Sequence, residues 1–340
     1  IGESYDYPGH SWYLNNGLKQ EANLFLRAEY KPFEWMTAYG DLQYRGIGLD
    51  MTGPEDDQVP LDYSTTWHFL NPRAGLSFHW SPRHKAYASV ALGHREPGRS
   101  DIKENIKNAY WAEQAGVEGE EVSLKPEKML DVEIGYSYQS EKLSASANVY
   151  LMEYKDMLLE TGRLSNVGYA IKENVPRSWR RGIELAASWN ICPWLQVGGN
   201  MTLSANKIRG YTAYYEVYDN MNDWNYLGQH HVDFEKTDIL MSPSYVGMAS
   251  ATLRPFAHMA GSLNSAYLTW NGKYVGRQFY DNTSSLERSI PAYFVADLSL
   301  GYEVPLRRSF AGAQDDKVGV KDDKAGTPNE KSGTLAFSFH

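Results

Sequence analysis

The chain has 340 residues, a net charge of −9, one cysteine (Cys192) and 14% aromatic residues, most of them tyrosine. The acidic balance argues against a nucleic-acid partner, which would favour a basic face, and the single cysteine excludes an intrachain disulfide or a cysteine metal cluster. No apolar run approaches the roughly 20 residues of a transmembrane helix, so this chain could cross a membrane only as a closed barrel of strands, where every backbone group is paired.

The chain opens at Ile1 in mid-sequence, followed by the loop-like Tyr5-Asp6-Tyr7-Pro8-Gly9-His10 and no signal peptide, and reads as a piece of something longer. From there the pattern is strand, short turn, strand, long loop. Residues 18–30 alternate Ala22, Leu24, Leu26, Ala28 and Tyr30 with Glu21, Asn23, Arg27 and Glu29, and turn at Lys31-Pro32-Phe33-Glu34. Residues 35–49 return, and an acidic loop through Asp56, Asp57, Tyr63 and Trp67 is expected next. Strands 69–80 and 86–95 flank a turn at Ser81-Pro82-Arg83, before a second long loop over 96–126.

Residues 127–156 form the clearest hairpin. Leu130, Val132, Ile134, Tyr136 and Tyr138 alternate with polar residues, and after Ser140-Glu141 the chain returns with Leu143, Ala145, Ala147, Val149 and Leu151. A third loop around 162–168 leads to a strand ending Ile183, Leu185, Ala187, Trp189, Ile191, which turns at Cys192-Pro193. The next strand sets Leu195, Val197, Met201 and Leu203 against Gln196, Asn200 and Thr202. The longest loop is expected over 208–243. Strands 245–253 and 263–275, a loop with Asn282 and Thr283, and a strand over 293–304 follow.

Short turns and long loops thus alternate along about a dozen strands, an asymmetry that an up-and-down barrel produces by gathering its turns at one rim and its loops at the other. A soluble sandwich with Greek-key crossings has little reason to sort its loops in this way. Tyr30, Trp35, Trp80, Tyr136, Tyr138, Trp189 and Trp194 gather near the turns, where rings with one wet edge suit a lipid–water boundary. The fold class expected is all-β, a transmembrane antiparallel up-and-down β-barrel.

Four motifs carry a family resemblance. Leu124-Lys125-Pro126-Glu127, followed by Asp131, Glu133, Gly135 and Tyr136, resembles the "LKPE" strand opening of TonB-dependent outer-membrane receptors. Arg95-Glu96-Pro97-Gly98-Arg99-Ser100-Asp101 resembles the segment these receptors carry one strand earlier. Asn174-Val175-Pro176 through Gly182-Ile183-Glu184 resembles a later strand, and Tyr274 to Phe279 with Asp281-Asn282-Thr283 resembles a loop near their C-terminus. The resemblance implies about 12 strands of a barrel of about 22, with a plug and a last strand lying outside this chain. It also implies a Gram-negative outer-membrane location and active import of a bulky nutrient. An iron chelate (siderophore) is the expected cargo, ahead of cobalamin, haem or oligosaccharide. The implied partners are that small molecule, membrane lipid and a TonB-type energy-coupling protein. A passive porin, a surface adhesin and a barrel hydrolase are the alternatives.

The expected domains are a partial barrel with long outer loops over 1–304, a mobile polar insertion at a periplasmic turn over 305–333, and the start of a further strand over 334–340. In the insertion, Asp315-Asp316-Lys317-Val318-Gly319 is echoed by Asp322-Asp323-Lys324-Ala325-Gly326; such a segment buries too little apolar surface to offset its ordering entropy, and the ligand spacing of a calcium loop is absent. No phosphate loop, zinc-protease helix or nucleophile elbow appears, so no enzyme and no cofactor are expected. Ser77, His79 and Asn148 read as lumen polar residues, and Glu120-Glu121 as solvated loop charge. Tyr211, Tyr214, Tyr215, Tyr218, Trp224 and Tyr226, with Asp219, Asp223, His230 and His231 beside them, are the expected ligand-capture set, since rings not needed for a core offer large contact area at low conformational cost. His230-His231 with Asp233 and Glu235 have metal-binding side chains, but neighbours along a strand face opposite sides, and no metal site is assigned.

Overall fold

In the computed structural model, described over residues 14–55, 58–114, 116, 124–164, 170–219, 224–259, 262–302, 304–305 and 334–335, the alternating segments pair into one antiparallel sheet of twelve strands. The strands are β1 (Asn16–Phe33), β2 (Met36–Pro54), β3 (Pro60–Ser81), β4 (His84–Arg95), β5 (Glu127–Gln139), β6 (Leu143–Leu164), β7 (Ala170–Cys192), β8 (Leu195–Tyr218), β9 (Tyr226–Asp238), β10 (Tyr245–Leu253), β11 (Ala266–Val275) and, after the two-residue pieces β12 (Gln278–Phe279) and β13 (Ser289–Ile290), β14 (Tyr293–Tyr302). Each pairs with its neighbour in the chain, except that β10 pairs with the lower part of β8 while β9 pairs with its upper part. A final short ladder joins β15 (Val304–Pro305) to β16 (Thr334–Leu335).

Register turns the sequence alternation into two continuous faces. Val90 lies opposite Val132, Val132 opposite Leu151, Val149 opposite Ile183, and Ile183 opposite Leu203. Val90, Val149, Leu151, Ile183 and Leu203 remain exposed, Val132 is half-buried, and on the same face Ile134 and Leu298 are each 60% accessible. An apolar face this extensive is stable only against lipid. On the other face Gly135, Asn148, Glu184 and Thr202 run across β5 to β8, the polar lining of a lumen. The sheet is open, with β1 and β14 as its edges, and the fold is that of a transmembrane up-and-down barrel.

The buried cores sit at the loop-side end, not between the two faces of the sheet. Leu49, Met51, Leu61 and Ile102 form one cluster, and Leu159, Val175, Ile208, Tyr211, Ala213 and Ile239 another. Several expected loops are strand instead. β2 and β3 stay paired up to Pro54 opposite Pro60, so Tyr63 and Trp67 lie on a strand, and β6 and β7 pair up to Leu164 opposite Ala170. The 208–243 segment corrects the reading most: it is a β-hairpin paired up to Tyr218 opposite Tyr226, with a connection only from 219 to 225. Tyrosine, threonine and valine fit a pleated surface whatever faces it, and the lost alternation marks a change of surroundings, not the end of the strand. The 96–126 segment holds a helix, α1 (Arg99–Gln114). No described helix is long and apolar enough to cross a membrane, which says nothing about strands. Asp56, Asp57, Glu120, Glu121, Asp223, residues 306–333 and Phe339-His340 lie outside the described residues.

Candidate functional site

The β8–β9 hairpin stands above the rim on a fixed base. Tyr211 is buried, and its hydroxyl donates to the Glu160 carbonyl at 2.9 Å, which also accepts from Asn282 Nδ2 at 3.1 Å. Burial pushes the Tyr211 phenol up from its ordinary range. The segment after β11 clamps the hairpin from the side: Asn282 Oδ1 accepts from the Leu240 amide at 2.9 Å and Ser284 Oγ from the Asp238 amide at 2.7 Å. Arg288 pairs with Asp281 at 3.0 Å and lies over the Tyr215 ring at 5.0 Å, and its hydrogen bond to Asp281 raises the guanidinium further. These groups enclose a cavity of about 140 Å³ in which the buried Thr161 hydroxyl has no partner. That volume suits a few waters, not a bulky chelate.

The hairpin tip differs. Tyr218 packs edge-on against Trp224 at 5.9 Å and tilted against Tyr226 at 5.7 Å, yet Trp224 and Tyr226 keep 58% and 56% of their surface accessible. Asp219 closes the tip by accepting from the Asn225 amide and side chain at 3.0 and 2.7 Å. Tyr218 donates to Glu216 at 2.9 Å, a bond that raises its phenol. The expected capture set therefore divides. Tyr211 is a structural anchor and Tyr215 a platform for Arg288; Tyr214 lies beneath Arg163 at 5.4 Å; Tyr218, Trp224 and Tyr226 form an exposed aromatic tip. His231 lies opposite Tyr214 and His230 opposite Tyr215, and among the described residues no group of three or more metal-ligating side chains converges.

Most of the motif residues lie at the loop-side rim, with Gly182 and Glu184 lower on the lumen face of β7. Arg95 pairs with Glu127 at 2.7 Å, and Glu96, just before Pro97, reaches Lys19 at 2.8 Å and Arg45 at 3.6 Å. The Lys125 backbone, next to Pro126, is held on both sides by Asn174, which accepts from its amide at 2.8 Å and donates to its carbonyl at 2.9 Å. Leu124 packs against the cluster around Ile102. A Cβ on Gly182 would stand 2.6 Å from the Leu203 carbonyl and from the Tyr150 hydroxyl, so only glycine lets that tyrosine lie across the strand. Glu184 accepts from Asn148 at 3.4 Å on the lumen face.

Helix α1 stands where a long loop is expected, and its sequence carries a helical signal. Ile102, Ile106 and Tyr110 recur at helical spacing. The helix bridges two parts of the wall: Ile102 sits in the β2–β3 cluster, while Asp101 pairs with Lys172 of β7 at 3.0 Å and Asn105 reaches the Lys172 carbonyl at 3.4 Å.

The family model described as TonB dependent receptor-like, beta-barrel, matches residues 2–316. No curated protein sequence matches the chain. Among solved structures, the copper transporter OprC superposes with a TM-score of 0.61 at 14% identity, covering 84% of this chain and 40% of that one. The siderophore receptor PiuA from Acinetobacter baumannii gives 0.59 at 13% identity, covering 85% and 37%. The ferric-catecholate import receptor Fiu from E. coli K12 gives 0.56 at 16%, covering 85% and 39%. The chain thus spans about 40% of the structures it resembles.

Proposed function

The chain belongs to the TonB-dependent receptor-like β-barrel family of the outer membrane, and from that premise we propose that it serves active import of a scarce, bulky nutrient. Capture takes place at the loop face, and passage through the barrel is driven by an energy-coupling protein of the TonB type. The observation that carries the reading is the exposed ring cluster of Tyr218, Trp224 and Tyr226 on a hairpin whose base is locked by Tyr211 and Asn282. Rings held in place before binding lose little freedom on contact. A ferric chelate is the proposed cargo, in keeping with the names of Fiu, a ferric-catecholate import receptor, and PiuA, a siderophore receptor.

In the complete receptor, Trp224→Ala is expected to weaken binding of a ferric siderophore about thirtyfold while membrane insertion stays intact; unchanged affinity in this variant and in Tyr214→Ala and Tyr218→Ala moves the site elsewhere. Uptake that persists without the energy-coupling protein points to a passive porin instead. The loop face is tested by cysteines at Asp219 and Ser140: on intact cells a membrane-impermeant reagent should label the first and spare the second.

A further inference from the structure

A row of cations crosses the lipid-facing wall where β5 to β9 leave the apolar belt. Lys128 lies opposite Lys155, Lys155 opposite Arg177, Arg177 opposite Arg209, and Arg209 opposite Lys236, so five strands in succession present a positive charge in direct register. Their positions alternate correctly with Leu130, Leu151 and Ile183, which places them on the outward face. All five are exposed.

Like charges directly opposite each other in a sheet repel, and this chain is acidic as a whole. The nearby carboxylates do not cancel the row. Glu153 is taken by both Arg177 and Arg181, and Asp238 by Lys207. Among the described residues, no carboxylate stands within ion-pair distance of Lys128, Lys155, Arg209 or Lys236. The charges are instead held in place: Arg177, Arg181 and Lys236 stand over the Trp179 ring at 5.9, 5.3 and 5.7 Å. Lys128, Lys155 and Arg177 also border a groove of about 440 Å³ whose floor includes Leu92 and Leu130.

The height of the patch identifies its occupant. Lys128, Lys155, Arg181 and Lys207 each lie eleven or twelve residues from the turn-side end of their strand. At about 3.3 Å per residue and a tilt near 40°, that is roughly 30 Å above the turns, just past an apolar band about 25 Å tall. Arg177 and Arg209 lie a few residues higher. Charge meets acyl chains at this level, and the leaflet on the loop side of a Gram-negative outer membrane is built of lipopolysaccharide, an amphiphile with phosphates on its glycolipid head.

We infer that the outward cations of β5 to β9 bind the phosphates of a lipopolysaccharide molecule, with its acyl chains against Leu92, Leu130 and the belt below. The inference rests on the orientation proposed above, with the loops outside. It is tested by native mass spectrometry of the complete receptor titrated with bisphosphorylated lipid A, with monophosphoryl lipid A, phosphatidylglycerol and inorganic phosphate as separate arms. The wild type should bind the bisphosphorylated form most tightly, and Lys128→Gln/Lys155→Gln/Arg209→Gln should lose at least tenfold in affinity, while Lys142→Gln at the turn side loses none. Heat-modifiable mobility on gels confirms folding, and the paired variant Lys128→Gln/Lys155→Gln should give a smaller loss in the same direction if the triple variant folds poorly. Unchanged lipid A affinity in folded variants overturns the inference, as does equal competition by phosphatidylglycerol or inorganic phosphate. Reversed cysteine labelling on intact cells overturns the orientation alone, because the titration in detergent does not depend on it.

Discussion

The turn-side and loop-side halves of β6, β7 and β8 are continuous strands built on different rules. Below, Ala147, Val149 and Leu151 alternate with Ser146, Asn148 and Tyr150, because one face meets lipid and the other a polar lumen. Above, Leu158 and Leu159 are consecutive and both buried, and on β8 Ile208 and Tyr211, three residues apart and so on opposite faces of a strand, are both buried as well. Asp156, with φ +56, and Gly210, with φ +71, lie near this change. Both angles lie in the left-handed region, yet pairing resumes beyond each in the same register. Alternation therefore reports two uniform surroundings, not strand structure itself. Once protein segments cover both faces, the strand continues without it.

The sharpest break of this comparison is a charge placed on each face of the lower half. Val197 lies opposite Trp189 and Ala251 on the outward face, whereas Asn200 faces the lumen. Val197→Arg is expected to cost about 2–4 kcal/mol and Asn200→Arg much less, because only the first buries a charge in hydrocarbon. Folding yield and urea midpoint in vesicles measure both, and equal losses would mean that the faces are reversed.

A smaller effect is expected where the upper half depends on backbone geometry. Gly162 has φ +83, and a Cβ there would stand 2.6 Å from the Tyr214 carbonyl. Gly162→Ala should cost about 1–3 kcal/mol through strain at this position and a forced shift of the hairpin base. The same substitution at Gly48, where nothing lies within 4 Å, is the control and should leave the midpoint nearly unchanged.

The contrast also explains what could be read without coordinates. The hairpin over 127–156, the faces of β8 and the turn at Cys192-Pro193 were legible, since Leu195, Val197, Met201 and Leu203 need only a neighbouring strand to declare a face. The upper parts of β2, β3, β6 and β8 carry a loop-like sequence although they are strand, because their partners Ile102, Asn282 and Arg288 come from distant sequence. The same limit divided the capture set: Tyr211 and Trp224 both carry large rings with a polar edge, and Asn282 and Glu160, brought in from elsewhere in the chain, make one an anchor while the other stays exposed.

The smallest effect sharpens that last distinction. Tyr211→Phe keeps the buried ring and removes one hydrogen bond, while the Glu160 carbonyl still accepts from Asn282. The acceptor is not orphaned, so the expected loss is about 0.5–1.5 kcal/mol, the net worth of a typical internal hydrogen bond. A pH series adds an independent sign. Burial raises the folded phenol above its ordinary value of 10.0, so neutral Tyr211 is favoured in the fold and the unfolded chain ionises first. The stability that wild type holds over Tyr211→Phe is fully present below pH 10.0 and shrinks as the pH rises beyond it. Urea midpoints of the two proteins at neutral pH and above pH 10.0 read this directly. A gap that stays constant as the pH passes 10.0 would mean that the hydroxyl meets solvent in the fold as it does in the unfolded chain, and the base of the hairpin would then be as open as its tip.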